Sequence, residues 1–346
     1  SDSMKAVLFP GDRQVAVVDR PRPEPGPGEV VIALRASAIC RSDMSLYYGK
    51  PIVGGEATGS GQIVPGHEPA GEVVAVGPGV TSVTVGDRVA AYLAIGCGHC
   101  EWCQRGYYFL CPDWKCLGFD VNGGDADYML LPAANCLPLP DGISYEVGAV
   151  MTDMIGTQYD AQRRLHVSGA TTVAIFGLGP MGGAGVLVAK ARGARVIALD
   201  ILDSRLELAK SLGADEVINS KTEDPVARLR ELTDGRGVEV AIDSSGSPAG
   251  QNAALDGAAR FGHVAFIGES RATEINPSDQ VIRKLLTVIG AWYFPIWEWT
   301  DITRFVLEHH IPVDKLITYR FSIDQAAEAF RMFDQRQTEK AVFVWK

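Results

Sequence analysis

Residues 171–200 read TTVAIFGLGPMGGAGVLVAKARGARVIALD. TTVAIFG (171–177) is a short apolar run with the length and composition of a buried strand. PMGGAGVLVAKARG (180–193) follows as a helix, and ARVIALD (194–200) as the next strand. GLGPMG (177–182) places Gly177, Gly179 and Gly182 in G-x-G-x-x-G spacing around Pro180 and Met181. In a chain with 38 glycines that spacing alone is weak. Here it follows a strand, opens a helix and meets an acid, Asp200, 18 residues after its last glycine. Gly177 allows a tight turn, Gly179 lets the backbone approach a pyrophosphate, and Gly182 lets helix and strand pack closely. The helix N-terminus offers unpaired N–H groups and partial positive charge to phosphates. A carboxylate at Asp200 accepts hydrogen bonds from a ribose diol and repels a 2′-phosphate. Its neighbours Ile201, Leu202 and Asp203 include no arginine pair, so the site reads as NAD over NADP. The alternative is an α/β domain whose glycine-rich turn binds no nucleotide.

Downstream the same alternation continues. LDSRLELAKSLG (202–213) is a helix ending at Gly213, and DEVINS, VEVAIDSSG and HVAFIGES carry the pattern to about residue 270. Strands alternating with helices predict a parallel, doubly wound sheet. Upstream, the first 150 residues or so are short strands broken by Gly and Pro, such as EVVIALRASAI (29–39), AGEVVAVGPGV (70–80) and GDRVAAY (86–92). PRPEPGPGE (21–29) is a stiff loop, too short for a domain linker. After about residue 290 the chain turns aromatic, AWYFPIWEW (291–299), and closes on AVFVWK as a terminal strand. The plan is a β-rich first domain, a doubly wound domain and a tail returning to the first. A length of 346 residues independently suggests two domains.

Hydrophobic residues make up 47% of the chain, and its net charge is −10. That balance disfavours nucleic acid and acidic membrane surfaces as partners. No apolar run reaches membrane-spanning length and no signal peptide opens the sequence, so a cytoplasmic location is expected. Ser1, Asp2 and Ser3 ahead of Met4 read as an added segment. Seven cysteines, an odd number in a large chain, fit metal-bound thiols better than a disulfide framework.

Four of the seven lie in GCGHCEWCQRGYYFLC (96–111): Cys97, Cys100, Cys103 and Cys111. Four thiolates from one short loop can surround a tetrahedral Zn²⁺ at about 2.3 Å each. A full thiolate shell leaves no position for a substrate, so this metal is structural. An iron–sulfur cluster or free thiols are the alternatives. A zinc-finger role in DNA binding fits the spacing in isolation, but the acidic balance and nearby Glu101 and Asp113 argue against it. A second constellation joins ICRSD (39–43) to PGHEPAG (65–71). Cys40 is a thiolate donor, and His67 is one of six histidines. Singly, each is more often a buried cysteine or a satisfied loop histidine. A catalytic zinc needs about three protein ligands and one open position. Cys40 and His67 supply two, and the third comes from elsewhere.

CRSD, GHEPAGEVVAVG, GDRV, CGHCEWCQRG, GLGPMG and the closing KAVFV together resemble the zinc-dependent medium-chain alcohol and polyol dehydrogenases over nearly the whole chain. The resemblance implies a GroES-like catalytic domain over residues 1–153 and 292–346 and an NAD-binding Rossmann domain over 154–291. It implies two zinc ions per chain, dimers or tetramers, and reversible hydride transfer between an alcohol and NAD, with zinc as Lewis acid. Position by position it makes Asp153 the third ligand beside Cys40 and His67. Glu68 matches the acid that approaches or exchanges at the metal, and Asp43 the acid that orients His67. Ser42 matches the hydroxyl that relays the alcohol proton; the histidine that relatives carry three residues later is Ser45 here. Arg41 and Lys340 match contacts to the pyrophosphate, Arg205 a contact near the adenosine ribose, and Thr157 a residue packed against nicotinamide. Tyr47, Tyr48, Leu46, Ile95, Phe119, Trp292 and Tyr293 lie near segments that line this family's cleft; they fit a bulky or cyclic substrate, protein core or a subunit interface. An acidic third ligand resembles members acting on secondary alcohols and polyols, with short primary alcohols second. The rival class is a zinc-stapled NAD-binding structural or sensor protein without turnover.

Overall fold

The computed structural model describes residues 2–51, 54–55 and 58–346, so Ser1 of the expected added segment lies outside it. The chain divides into two compact units, Ser1–Asp153 with Pro295–Leu307 and Leu316–Lys346, and Met154–Phe294 with Glu308–Lys315. The tail therefore divides differently from the expected 292–346. Phe294 is fully buried in the second unit, packed so closely on Gly156 that a Cβ there would lie 2.4 Å from its ring. Lys315 donates to the Ser211 carbonyl at 3.2 Å, tying Glu308–Lys315 to the same unit.

The second unit is built on six parallel strands in the order Glu216–Asn219, Arg195–Asp200, Thr172–Phe176, Val238–Asp243, Ala258–Phe266 and Thr287–Gly290. This is the doubly wound order whose switch point lies between the first and fourth strands in sequence. Val173, Ala174, Ile175 and Phe176 are all buried, as strands covered on both faces require. The helices start on local signals. Pro180 opens Pro180–Ala191 at a position where its missing N–H costs nothing. Asp224 accepts from the amides of Val226 and Ala227 to cap Pro225–Glu231, and Ser247 caps Pro248–Gly257 through the Gly250 amide.

The first unit's main sheet has seven strands. Six run in the order Ile317–Phe321, Lys340–Val344, Glu29–Ala38, Glu68–Val76, Arg88–Ala91 and Cys136–Pro138, and Tyr128–Pro132 also pairs with Glu29–Ala38. The returning tail supplies two strands at one side of this sheet. Lys340–Val344 runs antiparallel to Glu29–Ala38, with Val342 opposite Ala38, and Ala38 is opposite Glu68 on the other side. Residues near 40, 68 and 340 thus share one end of the sheet. Among the described residues, no helix is long and apolar enough to cross a membrane.

Candidate functional site

Cys40 follows the end of the strand Glu29–Ala38 and precedes the short helix Asp43–Tyr47. The Asp43 carboxylate accepts the Cys40 amide at 2.9 Å on Oδ2, and its Oδ1 lies 2.9 Å from His67 Nδ1. A proton on Nδ1 facing Asp43 leaves the Nε2 lone pair for a metal. Gly66 immediately before His67 has φ 104°, and a Cβ there would lie 2.5 Å from Asp125 Oδ1, so the turn delivering His67 requires glycine. Asp153 sits in a π-helical turn, Met151–Ile155. Such turns insert a residue into a helix and are frequent at functional sites.

Ligand atoms of Cys40, His67, Glu68 and Asp153 all lie within 4.8 Å of one another. Asp153 Oδ2 is 3.8 Å from Cys40 Sγ and 3.5 Å from His67 Nε2, and Glu68 Oε2 is 3.7 Å from His67 Nε2. Glu68 Oε1 is buried without a hydrogen-bond partner among the described residues. A thiol, an imidazole nitrogen and a carboxylate converging in this way fit a zinc ion. Cys40, His67 and Asp153 would hold it, with Glu68 alongside. Burial pushes the Cys40 thiol up, with Lys340 pulling the other way. Burial would depress His67, but the charges of Asp43 and Cys40, with hydrogen bonds to Asp153 and Asp43, outweigh it and raise its pKa well above the usual value. These groups hold a positive charge in the cluster.

Lys340, expected to contact the pyrophosphate, pairs with Glu68. Its side chain is 1% exposed and its ammonium donates to Glu68 Oε2 at 2.8 Å. Burial works against its charge, but Glu68 and Cys40 outweigh that and keep it protonated. Ser42 Oγ lies 3.4 Å from Cys40 Sγ, whereas Ser45 Oγ is committed to the Ser42 carbonyl at 2.8 Å. Arg41 is exposed, its guanidinium 5.7 Å from the Phe333 ring centroid. Of the side chains near the expected cleft, Leu46, Tyr47 and Phe119 belong to a buried cluster with Phe9 and Phe330, and Tyr48 bonds Asp334. Their apolar area stabilises the first unit. Ile95 packs against a second apolar cluster, Tyr293 is buried and Trp292 is half-exposed.

The four-cysteine loop also assembles. Sγ atoms of Cys97, Cys100, Cys103 and Cys111 lie within 4.8 Å of one another. The Cys100 amide points at Cys97 Sγ at 3.3 Å, the Cys97 amide at Cys111 Sγ at 3.4 Å, and the Cys103 amide at Cys100 Sγ at 3.5 Å. Amides aimed at sulfur favour thiolates. The His99 amide foremost draws Cys97 down to about 6, while burial pushes Cys103 up to about 12. The cluster fits a structural zinc, since four converging sulfurs match a tetrahedral thiolate site and a metal would hold the loop together.

In the second unit the glycine turn has the expected form. Gly177 has φ 89°, and a Cβ on Gly182 would lie 1.7 Å from the Gly177 carbonyl oxygen. Gly179 is the N-cap of Pro180–Ala191, the helix whose first turn carries Pro180 and Met181. Asp200 closes the next strand. Its Oδ2 accepts the Leu178 amide at 2.7 Å and its Oδ1 those of Ile201 and Leu202 at 2.7 and 3.1 Å. Arg205 lies 3.7 Å from Asp200 Oδ2. Two carboxylate oxygens offer about four acceptor sites, so capacity remains for a ribose hydroxyl. Thr157 is buried on the helix Gly156–Arg164. Sequence reasoning missed Gln158, one residue further on, and Asp125 beneath Gly66; a lone amide in a helix and an acid among glycines carry no signal without the fold.

Comparison with known proteins agrees with this geometry. Residues 26–141 match the family described as the alcohol dehydrogenase GroES-like domain, and residues 180–308 match the zinc-binding dehydrogenase family. The L-threonine 3-dehydrogenase of Pyrococcus abyssi is 37% identical over 94% of this chain and 93% of its own. Among solved structures, the alcohol dehydrogenase of Thermus sp. ATN1 superposes with a TM-score of 0.92 at 28% identity, covering 99% of this chain and all of its own. The 2R,3R-butanediol dehydrogenase of Bacillus subtilis gives 0.89 at 29%, with the same coverage.

Proposed function

Because the chain belongs to the zinc-dependent medium-chain alcohol dehydrogenase family, an oxidoreductase family, we propose that it oxidises a secondary alcohol or polyol reversibly, with NAD accepting the hydride. The observation carrying this reading is the convergence of Cys40, His67 and Asp153 beside the Asp43–His67 pair. Zinc held there would supply a Lewis acid that polarises an alcohol or carbonyl oxygen. The chain's own residues do the rest. Asp43 fixes the His67 tautomer and ring orientation. Ser42, in reach of Cys40 Sγ, is the hydroxyl placed to accept the alcohol proton. Lys340 holds Glu68, keeping a second carboxylate in reserve beside the ligands. Gly177–Gly182 cradles the pyrophosphate, and Asp200 with Arg205 receives the adenosine ribose.

The choice of secondary over primary alcohols is supported by the names of relatives. L-threonine 3-dehydrogenase and 2R,3R-butanediol dehydrogenase are both named for secondary hydroxyls. The proposal includes self-association into dimers or tetramers. It is supported by the sheet edge Thr287–Gly290, which carries no charge and leaves Val288 and nearby Leu285 exposed. A panel of vicinal diols, 3-hydroxy amino acids, polyols and primary alcohols with NAD, followed by absorbance of the reduced cofactor, tests the reading. Turnover should concentrate on secondary carbinols. Turnover confined to primary alcohols, or absent throughout, contradicts it.

A further inference from the structure

At the switch point of the second unit's sheet two turns pack backbone to backbone. One is the glycine turn after Thr172–Phe176, the other the Ser244–Gly246 turn after Val238–Asp243. A Cβ on Gly177 would lie 2.8 Å from both the amide nitrogen and the Cβ of Ser245. The second turn is drawn tight by Asp243, whose Oδ1 accepts the Ser245 hydroxyl at 2.6 Å and whose Oδ2 accepts the Gly246 amide at 2.9 Å. Between them reaches a fully buried side chain from the helix Gly156–Arg164. Gln158 Nε2 donates to the Met181 carbonyl at 3.0 Å and lies 3.3 Å from Ser244 Oγ. A carbonyl can only accept, so the Met181 oxygen fixes which end of the amide faces the turns. Gln158 Oε1 in turn accepts Gln162 Nε2 at 3.3 Å, and that nitrogen also reaches the Gly185 carbonyl at 3.0 Å. Glycine at 185 is what admits this arrangement, since a Cβ there would lie 2.9 Å from the Gln158 amide.

A buried amide is costly unless its hydrogen bonds are made. Apolar packing alone would join these helices more cheaply. What the amide adds is a tie from one rigid helix to both turns that form the dinucleotide crevice.

We propose that Gln158 is a positioning residue of the dinucleotide site, holding the Gly177–Gly182 turn and the Ser244 turn at the spacing the pyrophosphate requires. The inference rests on the NAD reading above. Gln158 need not touch the cofactor; it acts through the Met181 carbonyl and the Ser244 hydroxyl.

Dissociation constants for NAD, measured by calorimetry on the zinc-loaded protein, give the test. Losing these bonds in Gln158→Leu should weaken NAD about tenfold, and Ser244→Ala about threefold. The double variant should bind no more weakly than Gln158→Leu alone, because Ser244 acts through the same amide. The NAD KM should rise with kcat at saturating NAD within about twofold and zinc content unchanged. An unchanged dissociation constant in Gln158→Leu, fully additive effects, or a fall in kcat at constant KM would overturn the inference. If Gln158→Leu does not fold, Gln158→Met removes the same donor at nearly the same length and should weaken NAD likewise; unchanged binding there also overturns it. A wild type that does not bind NAD removes the dinucleotide reading itself, an outcome distinct from wild-type binding with an indifferent position 158.

Discussion

Glu68 follows His67 in sequence, yet the group that neutralises it lies 272 residues away. Glu68 and Lys340 are respectively 0% and 1% exposed, so each charge depends on the other. Removing one partner of a buried pair leaves an unpaired buried charge, at a cost of about 3–5 kcal/mol. Lys340→Met should lose stability of that order in urea unfolding at fixed zinc, and adding Glu68→Gln should restore much of it. Equal losses in the single and double variants would show that the pair contributes little. Asp125 makes a second case. It is fully buried, and among the described residues its side chain accepts only the Ser37 hydroxyl, at 2.6 Å. Burial first and the Asp43 charge second raise its pKa well above the usual 3.8, so the folded state holds this proton more tightly than the unfolded chain does. That contribution to stability is complete below pH 3.8 and is lost as pH rises through the folded-state value. Asp125→Asn cannot ionise, so its Tm relative to wild type should climb as pH is raised from acid to neutral; a constant difference would mean that Asp125 is not held protonated. Cys40 and His67 were legible because thiols and imidazoles are scarce and chemically distinctive. The Glu68–Lys340 pair was not legible, because the strand pairing that brings residue 340 beside residue 68 appears only with the sheet.

At the scale of elements, periodicity located most strands and helices, and the ends moved where turn chemistry won. The run at 70–80 forms a strand over Glu68–Val76 only, because GPG after it breaks the ladder. The helix expected over 180–193 ends at Ala191, with Gly193 in the left-handed region. The π-turn at Met151–Ile155 had no sequence signal, since an inserted residue leaves the apolar pattern nearly intact, yet this turn carries Asp153. Close packing of the glycine turn predicts that Gly182→Ala drives a methyl into the Gly177 carbonyl. The helix must shift, which should cost about 1–3 kcal/mol and weaken NAD in calorimetry by more than tenfold; unaltered NAD affinity would contradict the packing argument. A second device ends the helix Pro248–Gly257. The Lys284 ammonium donates to the carbonyls of Leu255 and Ala258, the latter at 2.8 Å, satisfying acceptors the helix leaves open. Lys284→Met should lower stability by about 1–2 kcal/mol in thermal unfolding, with NAD affinity unchanged. No change in stability would show those carbonyls to be satisfied by water.

For the whole molecule, the sequence showed a β-rich part, a doubly wound part and a returning tail, because strand–helix alternation and Gly/Pro-broken strands differ over long stretches. It could not show that Glu308–Lys315 leaves the tail for the second unit, since that depends on contacts such as Lys315 with the Ser211 carbonyl. Nor could it show that the Lys340–Val344 strand enters the first unit's sheet between Ile317–Phe321 and Glu29–Ala38 and carries a lysine to Glu68. The two cysteine-containing clusters share that unit but differ in kind. One offers four sulfurs and, among the described residues, no other donor. The other mixes sulfur, nitrogen and oxygen, the donor set of a catalytic rather than a structural zinc.

Zinc content by elemental mass spectrometry, on wild type, Cys40→Ala and Cys103→Ser, probes this division most directly. Two zinc ions per wild-type chain and one in each variant are expected, with NAD-dependent alcohol oxidation abolished in Cys40→Ala even though its remaining zinc is retained. Full zinc and full turnover in Cys40→Ala, or a single zinc in an active wild type, would contradict the division.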